Sequence, residues 1–418
     1  MRLTFTALAV IGGAYFLVAR RRFDLFSLAF LSSCLYFLPG FFGTTLTPTR
    51  DFAPPVSTPL EAGTYAVFCC VLAAVLGSGV LFARLAPIRA AVRVRLPAVE
   101  DVAAVSVGLG YLGLFAVLTH GRELLNPDKF TLLQSLDRWH SVLTTFATVG
   151  AVTAAARKHW GILASSLPLF GLDLFLGSRT TTALAAMAVI LVWLAPMAPS
   201  RILLRQRRLV IVALALAVLF FAWQQLFLPL KRGDWAELLK RGVTPATYRT
   251  AFINSEPFTI QAILNEVVRT QYRVPPDHLL DVAAVAVPFY SKFFESPRSF
   301  NDYFQPDLFP AIRLSGLANN FWAEALAVGG WALLAGYVVF YLVTLAAGSF
   351  GLRSQSLHMR AVSAMAGAYI AFYVHRNDLL FELLLLRRLL GGYFVSVILA
   401  FLLIRVRRPK TLAASAAP

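Results

Sequence analysis

Residues 172–196 read LDLFLGSRTTTALAAMAVILVWLAP. Two apolar segments meet at Gly177-Ser178-Arg179-Thr180, with one arginine in the joint and Asp173 a little more than one helical turn before it. A charge in or near a bilayer core costs about 2.5–3.5 kcal/mol on insertion scales. The stretch therefore reads as two short spans joined by a tight Gly-Ser turn that holds Arg179 at a membrane face.

The rest of the chain repeats this pattern. Of its 418 residues, 58% are hydrophobic and only 14% charged, against about 45–50% and 25% in soluble domains. The mean hydropathy is +0.69. Apolar runs near twenty residues recur throughout, at about 3–19, 23–43, 60–83, 98–119, 140–156, 161–177, 180–198, 209–228, 318–346, 361–375 and 389–404. The fold class is an all-α polytopic membrane protein with about 11 transmembrane helices.

The net charge of +17 is not a nucleic-acid signature, because its distribution alternates along the chain. Half of the 38 basic residues lie in six short clusters: Arg20–Arg22, Arg84–Arg95, Arg157/Lys158, Arg201–Arg208, Arg353/Arg360 and Arg405–Lys410. The intervening short loops hold Arg50, Arg122, Lys129, Arg138, Arg179 and Arg376. This is the positive-inside pattern. It puts the N-terminus outside and the C-terminus in the cytoplasm. The first run is followed, not preceded, by its basic cluster, so it reads as an uncleaved span, not a signal peptide. Cys34, Cys69 and Cys70 all fall in apolar runs and form no metal or disulfide framework.

The chain divides into spans 1–228, a large outside loop 229–317, and spans and tail 318–418. The loop is too long to be structureless. Ser255-Glu256-Pro257 marks a helix start, followed at helical spacing by Ile260, Ile263, Leu264, Val267 and Val268. That stripe predicts a helix lying on the membrane or on the bundle. Val274-Pro275-Pro276-Asp277 ends it, and 279–287 is apolar but too short to span. Later, HRNDLLFELLLLRRLLGGYF (375–394) puts Arg387 and Arg388 in an apolar setting. An interfacial helix over 378–388, with the last span starting near Leu389, keeps both at the surface.

No phosphate-binding loop, HExxH, GxSxG or Cys/His metal spacing is present. What the chain offers is arginine on one side: Arg179, Arg376, Arg232, Arg249, Arg269, Arg273, Arg298 and Arg313. The guanidinium fork matches phosphate oxygens. The plainer alternative for Arg179 is an ion pair with Asp173. Glu324 follows Asn319-Asn320 by a few residues and falls two to three turns inside its run, and an intramembrane carboxylate marks a candidate site or the partner of a buried arginine. His375 sits at a span end and titrates near neutrality when unperturbed.

Three segments carry a resemblance. GSRTTTALAAMAVI resembles the short Gly-x-Arg turn of bacterial oligosaccharide repeat-unit polymerases, the Wzy type of O-antigen and exopolysaccharide systems. NNFWAEALAVGGWALLAG resembles that family's glutamate segment, with Gly329-Gly330-Trp331 in place of an Asn-Phe-Gly-like turn. HRNDLLFELLLLRRLL resembles its late Arg-Gly-Asp-like motif, with Asn377 in place of the glycine. Motif order, the large outside loop and the span count fit over essentially the whole chain.

The resemblance implies a GT-C-like glycosyltransferase of the bacterial inner membrane, with its large loop in the periplasm. It implies polymerisation of undecaprenyl-diphosphate-linked oligosaccharide repeat units, with no metal and no nucleotide cofactor. Arg179 and Arg376 would bind the diphosphate, assisted by Arg313, Arg249 and Arg232; Glu324, Asp378 and His375, in that order, are the candidate bases. Implied partners are the lipid-linked oligosaccharide, membrane lipids, a chain-length regulator and a flippase. Two alternatives stay open: an O-antigen ligase that transfers finished glycan to a lipid acceptor, and a lipid-linked glycan transporter. Charges gathered at one face, not spread through mid-membrane positions, favour surface chemistry over passage.

Overall fold

The computed structural model describes residues 1–51, 53–85, 96–126, 129–205, 211, 223, 226–227, 229–248, 255–287, 297–312 and 317–407. The first half contains α1 (Arg2–Ala14, continued by a π turn Tyr15–Ala19), α2 (Leu25–Tyr36), α3 (Pro39–Phe42), α4 (Ala62–Leu85), α5 (Val99–Leu118) and α6 (Lys129–Arg157). Then come α7 (Trp160–Ser165), α8 (Leu167–Phe175), α9 (Thr180–Leu194) and α10 (Pro199–Arg205). The second half contains α11 (Trp235–Val243), α12 (Glu256–Thr270), α13 (His278–Ala286), α14 (Phe300–Leu308), α15 (Phe321–Leu352), α16 (Leu357–Ala368, continued by a π turn Tyr369–Tyr373) and α17 (Leu379–Arg407). A small antiparallel hairpin, β1 (Thr44–Thr47) with β2 (Val56–Pro59), pairs Thr44 with Pro59.

Among the described residues five helices are long and apolar enough to cross a membrane: Arg2–Ala19, Ala62–Leu85, Val99–Leu118, Phe321–Leu352 and Leu379–Ile404. The protein is therefore a mainly helical membrane protein. The runs at 23–43, 161–177, 180–198 and 361–375 fall on shorter helices. The run at 161–177 is divided at Ser166, where Pro168 opens α8 in its first turn. The run at 140–156 is the apolar half of α6, whose first half carries Asp137, Arg138 and His140. Most of 209–228 lies outside the described residues.

Two basic clusters meet at one face. The Asp24 carboxylate caps α2 through the Ser27 N–H at 3.3 Å, takes Arg20 at 2.6 Å and takes Arg353 at 3.4 Å. His358, in the first turn of α16, bonds the Pro97 carbonyl at 2.8 Å, so the start of α5 joins the same face.

The central element of the second half is α12. It is embedded in the bundle: Phe258, Ile260, Ile263, Leu264 and Val267 are buried together with Gln261 and Asn265. Its polar groups are matched. The Asn265 side chain accepts from the Glu61 N–H at 2.8 Å and the Thr64 hydroxyl at 2.9 Å, and donates to the Pro59 carbonyl at 3.0 Å. The Thr45 hydroxyl donates to the Phe258 carbonyl at 2.6 Å. A hydrophobic stripe on a loop helix fits either a lipid surface or a protein groove, and the hairpin at 44–59 supplies the groove.

The interfacial helix expected over 378–388 does not form as a separate element. One helix runs from Leu379 to Arg407. Arg387 is accommodated because its Nη1 donates to the carbonyls of Val285 (2.7 Å) and Val287 (3.2 Å) at the end of α13. Those carbonyls have no intrahelical partner, and a cation at a helix C-terminus is favourable. The short apolar segment 279–287 is thus a cover for the start of α17, where Val282, Val285 and Leu380 are buried together.

Glu324 also lies elsewhere than expected. It is in the first turn of α15, and the helix breaks six residues later at Gly330, with φ 62° and ψ −153°. Only glycine occupies that region without strain. The break orphans carbonyls of the preceding turn. Arg273 Nη1 takes that of Leu326 at 2.8 Å, and the Val274 N–H takes that of Ala327 at 3.0 Å. Residues 321–329 therefore form a short, largely buried helical segment set off from the rest of α15 by the break.

Candidate functional site

The turn between α8 and α9 places Arg179. α8 ends in a left-handed cap: the Gly177 N–H bonds the Leu174 carbonyl at 2.9 Å, and the Ser178 N–H bonds the Asp173 carbonyl at 3.0 Å. Gly177 sits at φ +86°, and a Cβ there would meet the Phe227 ring at 2.7 Å. Arg179 then caps α9, whose first residue is Thr180. The cap fixes the angle at which the arginine leaves the turn.

Arg376 arrives from the other end of the chain. The π turn Tyr369–Tyr373 ends three residues before it, and such turns often accompany functional positions. Its Nη1 donates to the Thr180 hydroxyl at 3.2 Å and to the Tyr373 hydroxyl, and its guanidinium carbon stands 5.1 Å from the Tyr373 ring centre. The Thr180 and Tyr373 hydroxyls are themselves 2.8 Å apart.

Both arginines converge on one atom. Glu256 Oε1 lies 2.7 Å from Arg179 Nη2 and 3.2 Å from Arg376 Nη2. The three side chains are 17%, 25% and 24% exposed, so water reaches the cluster from one side. The alternative pairing of Arg179 with Asp173 does not occur. Asp173 is buried, bonded to His140 Nε2 at 2.8 Å and to the Thr182 hydroxyl at 3.3 Å.

A cleft of about 890 Å³ adjoins Arg376. Its wall includes Asn301, Asp302 and Gln305 of α14, Asn319 before α15, and Tyr373, Asn377 and Phe381. Asn301 donates to the Leu317 carbonyl, and Gln305 donates to the Ile312 carbonyl (3.0 Å) and accepts from the Leu317 N–H (3.0 Å), so these two amides hold the rim. Asn319 Oδ1 is buried and has no hydrogen-bond partner among the described residues. Asp302 accepts the Ser299 N–H at 2.7 Å and hydroxyl at 3.0 Å, closing a capping box on α14.

The three candidate bases are brought close to this cleft but behind its wall. Glu324 is fully buried; Oε1 meets His278 Nε2 at 2.7 Å, and Oε2 accepts the Leu379 N–H at 2.8 Å. Asp378 is fully buried and accepts the N–H groups of Phe300 and Phe381, each at 2.8 Å. His375 is a core residue among Tyr36, Phe37, Trp322 and Tyr341. The Trp322 indole N–H, which can only donate, gives to His375 Nδ1 at 3.0 Å. The neutral ring therefore carries its proton on Nε2, which faces the Ser33 hydroxyl at 3.0 Å. With both nitrogens used in a dry core, His375 as placed has no route to a substrate proton.

Arg232 is exposed beside Gly233, and among the described residues no contact links it to the arginine pair. Arg249 and Arg313 lie outside the described residues.

Two partners were not foreseen. The sequence marks Glu256 only as part of a helix start and gives His278, which follows the break at Val274–Asp277, no role. His278 has no exposed surface and packs edge-on against Tyr303. Burial pulls its pKa down, but the hydrogen bond and charge of Glu324, with Asp378 and Asp281 nearby, outweigh it and leave the imidazole above its usual 6.5. Nothing local in the sequence pairs residues 46 positions apart.

Comparison of the chain with family models, curated proteins and solved structures returns no match.

Proposed function

We propose that this protein joins lipid-linked oligosaccharide repeat units by glycosyl transfer at a membrane face. The observation that carries the reading is the convergence of Arg179 and Arg376, 197 positions apart, on a single acidic oxygen beside a polar cleft. Two guanidinium groups held mostly out of water suit a diphosphate leaving group, because fixed donors strengthen where the dielectric falls.

In this reading a hydroxyl oxygen of the acceptor sugar attacks the anomeric carbon of the donor chain. The bond from that carbon to the diphosphate oxygen breaks, and the electron pair leaves with the lipid diphosphate, held by Arg179 and Arg376. The hydroxyl proton passes to a carboxylate. Asp302 is the carboxylate that lines the cleft among the described residues. Glu324 and Asp378 then act by position: their bonds to the first N–H groups of α17 and of α14 set where Arg376 stands. The wider topology belongs to the same proposal: eleven spans, a GT-C-like architecture, N-terminus and large loop outside, in a bacterial inner membrane.

The test is a clean deletion in the host, complemented with wild type or Arg179→Ala, with surface glycan resolved on a gel. Single repeats without a ladder in the deletion and in a normally expressed Arg179→Ala strain support the polymerase. Long polymer retained on its lipid carrier assigns a ligase instead. An unchanged glycan profile removes the reading.

A further inference from the structure

We infer that Glu256 is the resident occupant of the phosphate subsite, and that a diphosphate binds by displacing its carboxylate from Arg179 and Arg376. The inference deepens the proposed function and rests on its diphosphate role for the two arginines.

The geometry is that of an anion site already filled. A single carboxylate oxygen accepts from Arg179 Nη2 at 2.7 Å and from Arg376 Nη2 at 3.2 Å. A phosphoryl oxygen bridging two guanidiniums would make the same two contacts. Each arginine comes from a different turn, one capping α9 and one following the π turn before α17, so two like charges are brought together from separate elements. In the absence of ligand their repulsion needs an anion between them, and Glu256 supplies it.

The charge balance favours exchange. Two guanidiniums against one carboxylate leave the trio with one net positive charge. A diphosphate brings more negative charge and more acceptor oxygens than one carboxylate, so it competes well with Glu256 for the two guanidiniums. The site is also open on the side that matters, since Glu256 is 24% exposed and Arg376 borders the cleft.

The displacement is a local event. The far half of α12 is pinned by Asn265 to Pro59, Glu61 and Thr64. The helix body therefore stays, and the motion falls on the Glu256 side chain in its first turn. Glu256 then has two effects of opposite sign. It keeps the arginines converged when the site is empty, and it competes with the incoming phosphate. Release of the product diphosphate is assisted by the same competition.

The test uses the full chain purified in detergent, with inorganic pyrophosphate and farnesyl diphosphate as probes in separate calorimetric titrations. Glu256→Gln keeps the side-chain volume and removes the charge; Glu256→Asp keeps the charge. Glu256→Gln is expected to bind the diphosphate probes about tenfold more tightly than wild type, the scale of one charge-assisted hydrogen bond. Glu256→Asp is expected to bind as wild type does, and Arg179→Ala added to Glu256→Gln to abolish the gain. A tighter farnesyl diphosphate alone assigns a lipid-linked ligand; an equal gain for pyrophosphate assigns the headgroup as sufficient. Melting temperatures within a few degrees of wild type exclude a folding artefact. Unchanged or weaker binding in Glu256→Gln overturns the competition while leaving the diphosphate role intact. Binding that is indifferent to Arg179→Ala overturns both, and the glycan gel decides polymerisation independently.

Discussion

Glu324 and His278 meet at 2.7 Å in a part of the molecule where neither has exposed surface. The pair joins the short helix before the Gly330 break to the loop helix α13, and through the Leu379 N–H it reaches the start of α17. An acid that looks like an isolated intramembrane charge is thus a three-way joint.

This joint predicts a pH dependence. The folded His278 pKa lies above its ordinary 6.5, so the fold gains from the protonated ring. That gain is complete below the unfolded value and is lost as pH rises through the raised folded value. The melting temperature of the detergent-solubilised protein is expected to fall over this rise, and the slope to be reduced in His278→Gln. A slope identical in the two proteins would assign the pH response to other groups.

Arg376 uses both arms of its fork, one toward Thr180 and Tyr373 and the other toward Glu256. A lysine delivers the charge but cannot span both sets. If the protein polymerises glycan as proposed, Arg376→Lys is expected to insert normally and to lose roughly 10²-fold in polymer synthesis, the scale of one lost electrostatic donor. Ladder intensity in the complemented deletion strain measures it, and wild-type ladders from Arg376→Lys would reduce the residue to a charge.

Gly330 stands at φ 62°, ψ −153°, and a Cβ there would lie 3.3 Å from Arg273 Nη1. Gly330→Ala is expected to lose about 1–3 kcal/mol of stability. Arg273→Ala, which leaves the Leu326 carbonyl unpaired, should lose a similar amount, roughly 1–3 kcal/mol. Both are read by thermal unfolding. A neutral Gly330→Ala would show that the chain can take another path at the break.

Asn265 serves three partners from a fully buried position. Asn265→Leu keeps volume but strands them, at roughly 1–3 kcal/mol for each group left buried and unpaired. The expected outcome is a lower melting temperature and faster proteolysis within 229–317. Unaltered proteolysis would mean that apolar packing alone holds α12.

His375 gives a negative prediction. Its ring is tied to Trp322 and Ser33 inside the core. His375→Asn is expected to lower thermal stability while leaving the pH profile of the proposed glycan polymerisation in place. A shifted profile would return His375 to the list of proton acceptors.

Much of the fold was legible along the chain because the bilayer imposes a one-dimensional rule. Apolar length and arginine position must satisfy the solvent locally, so the runs at 3–19, 60–83 and 98–119 reappear as helices within a few residues of their expected ends. The start of α12 at Ser255-Glu256-Pro257 is equally local, because proline in a first turn acts on its own backbone. Arg179 and Arg376 stood out for the same reason: each is a charge in an apolar setting.

What those charges meet was decided only by the tertiary structure. Asp173 is six residues from Arg179 and was the obvious partner; Glu256, 77 residues away, is the one it binds at 2.7 Å. The left-handed cap at Gly177 turns the arginine away from α8, and burial of α12 against the β1–β2 hairpin carries Glu256 to it. In the same way α13 lets α17 begin early by taking Arg387 at its carbonyl end, and Arg273 lets α15 break at Gly330. In each case a polar group buried by the fold takes its partner from whichever element packing places beside it. A sequence specifies which charges and carbonyls need partners, while the partners themselves are chosen in three dimensions, where the cost of leaving a group unpaired is set.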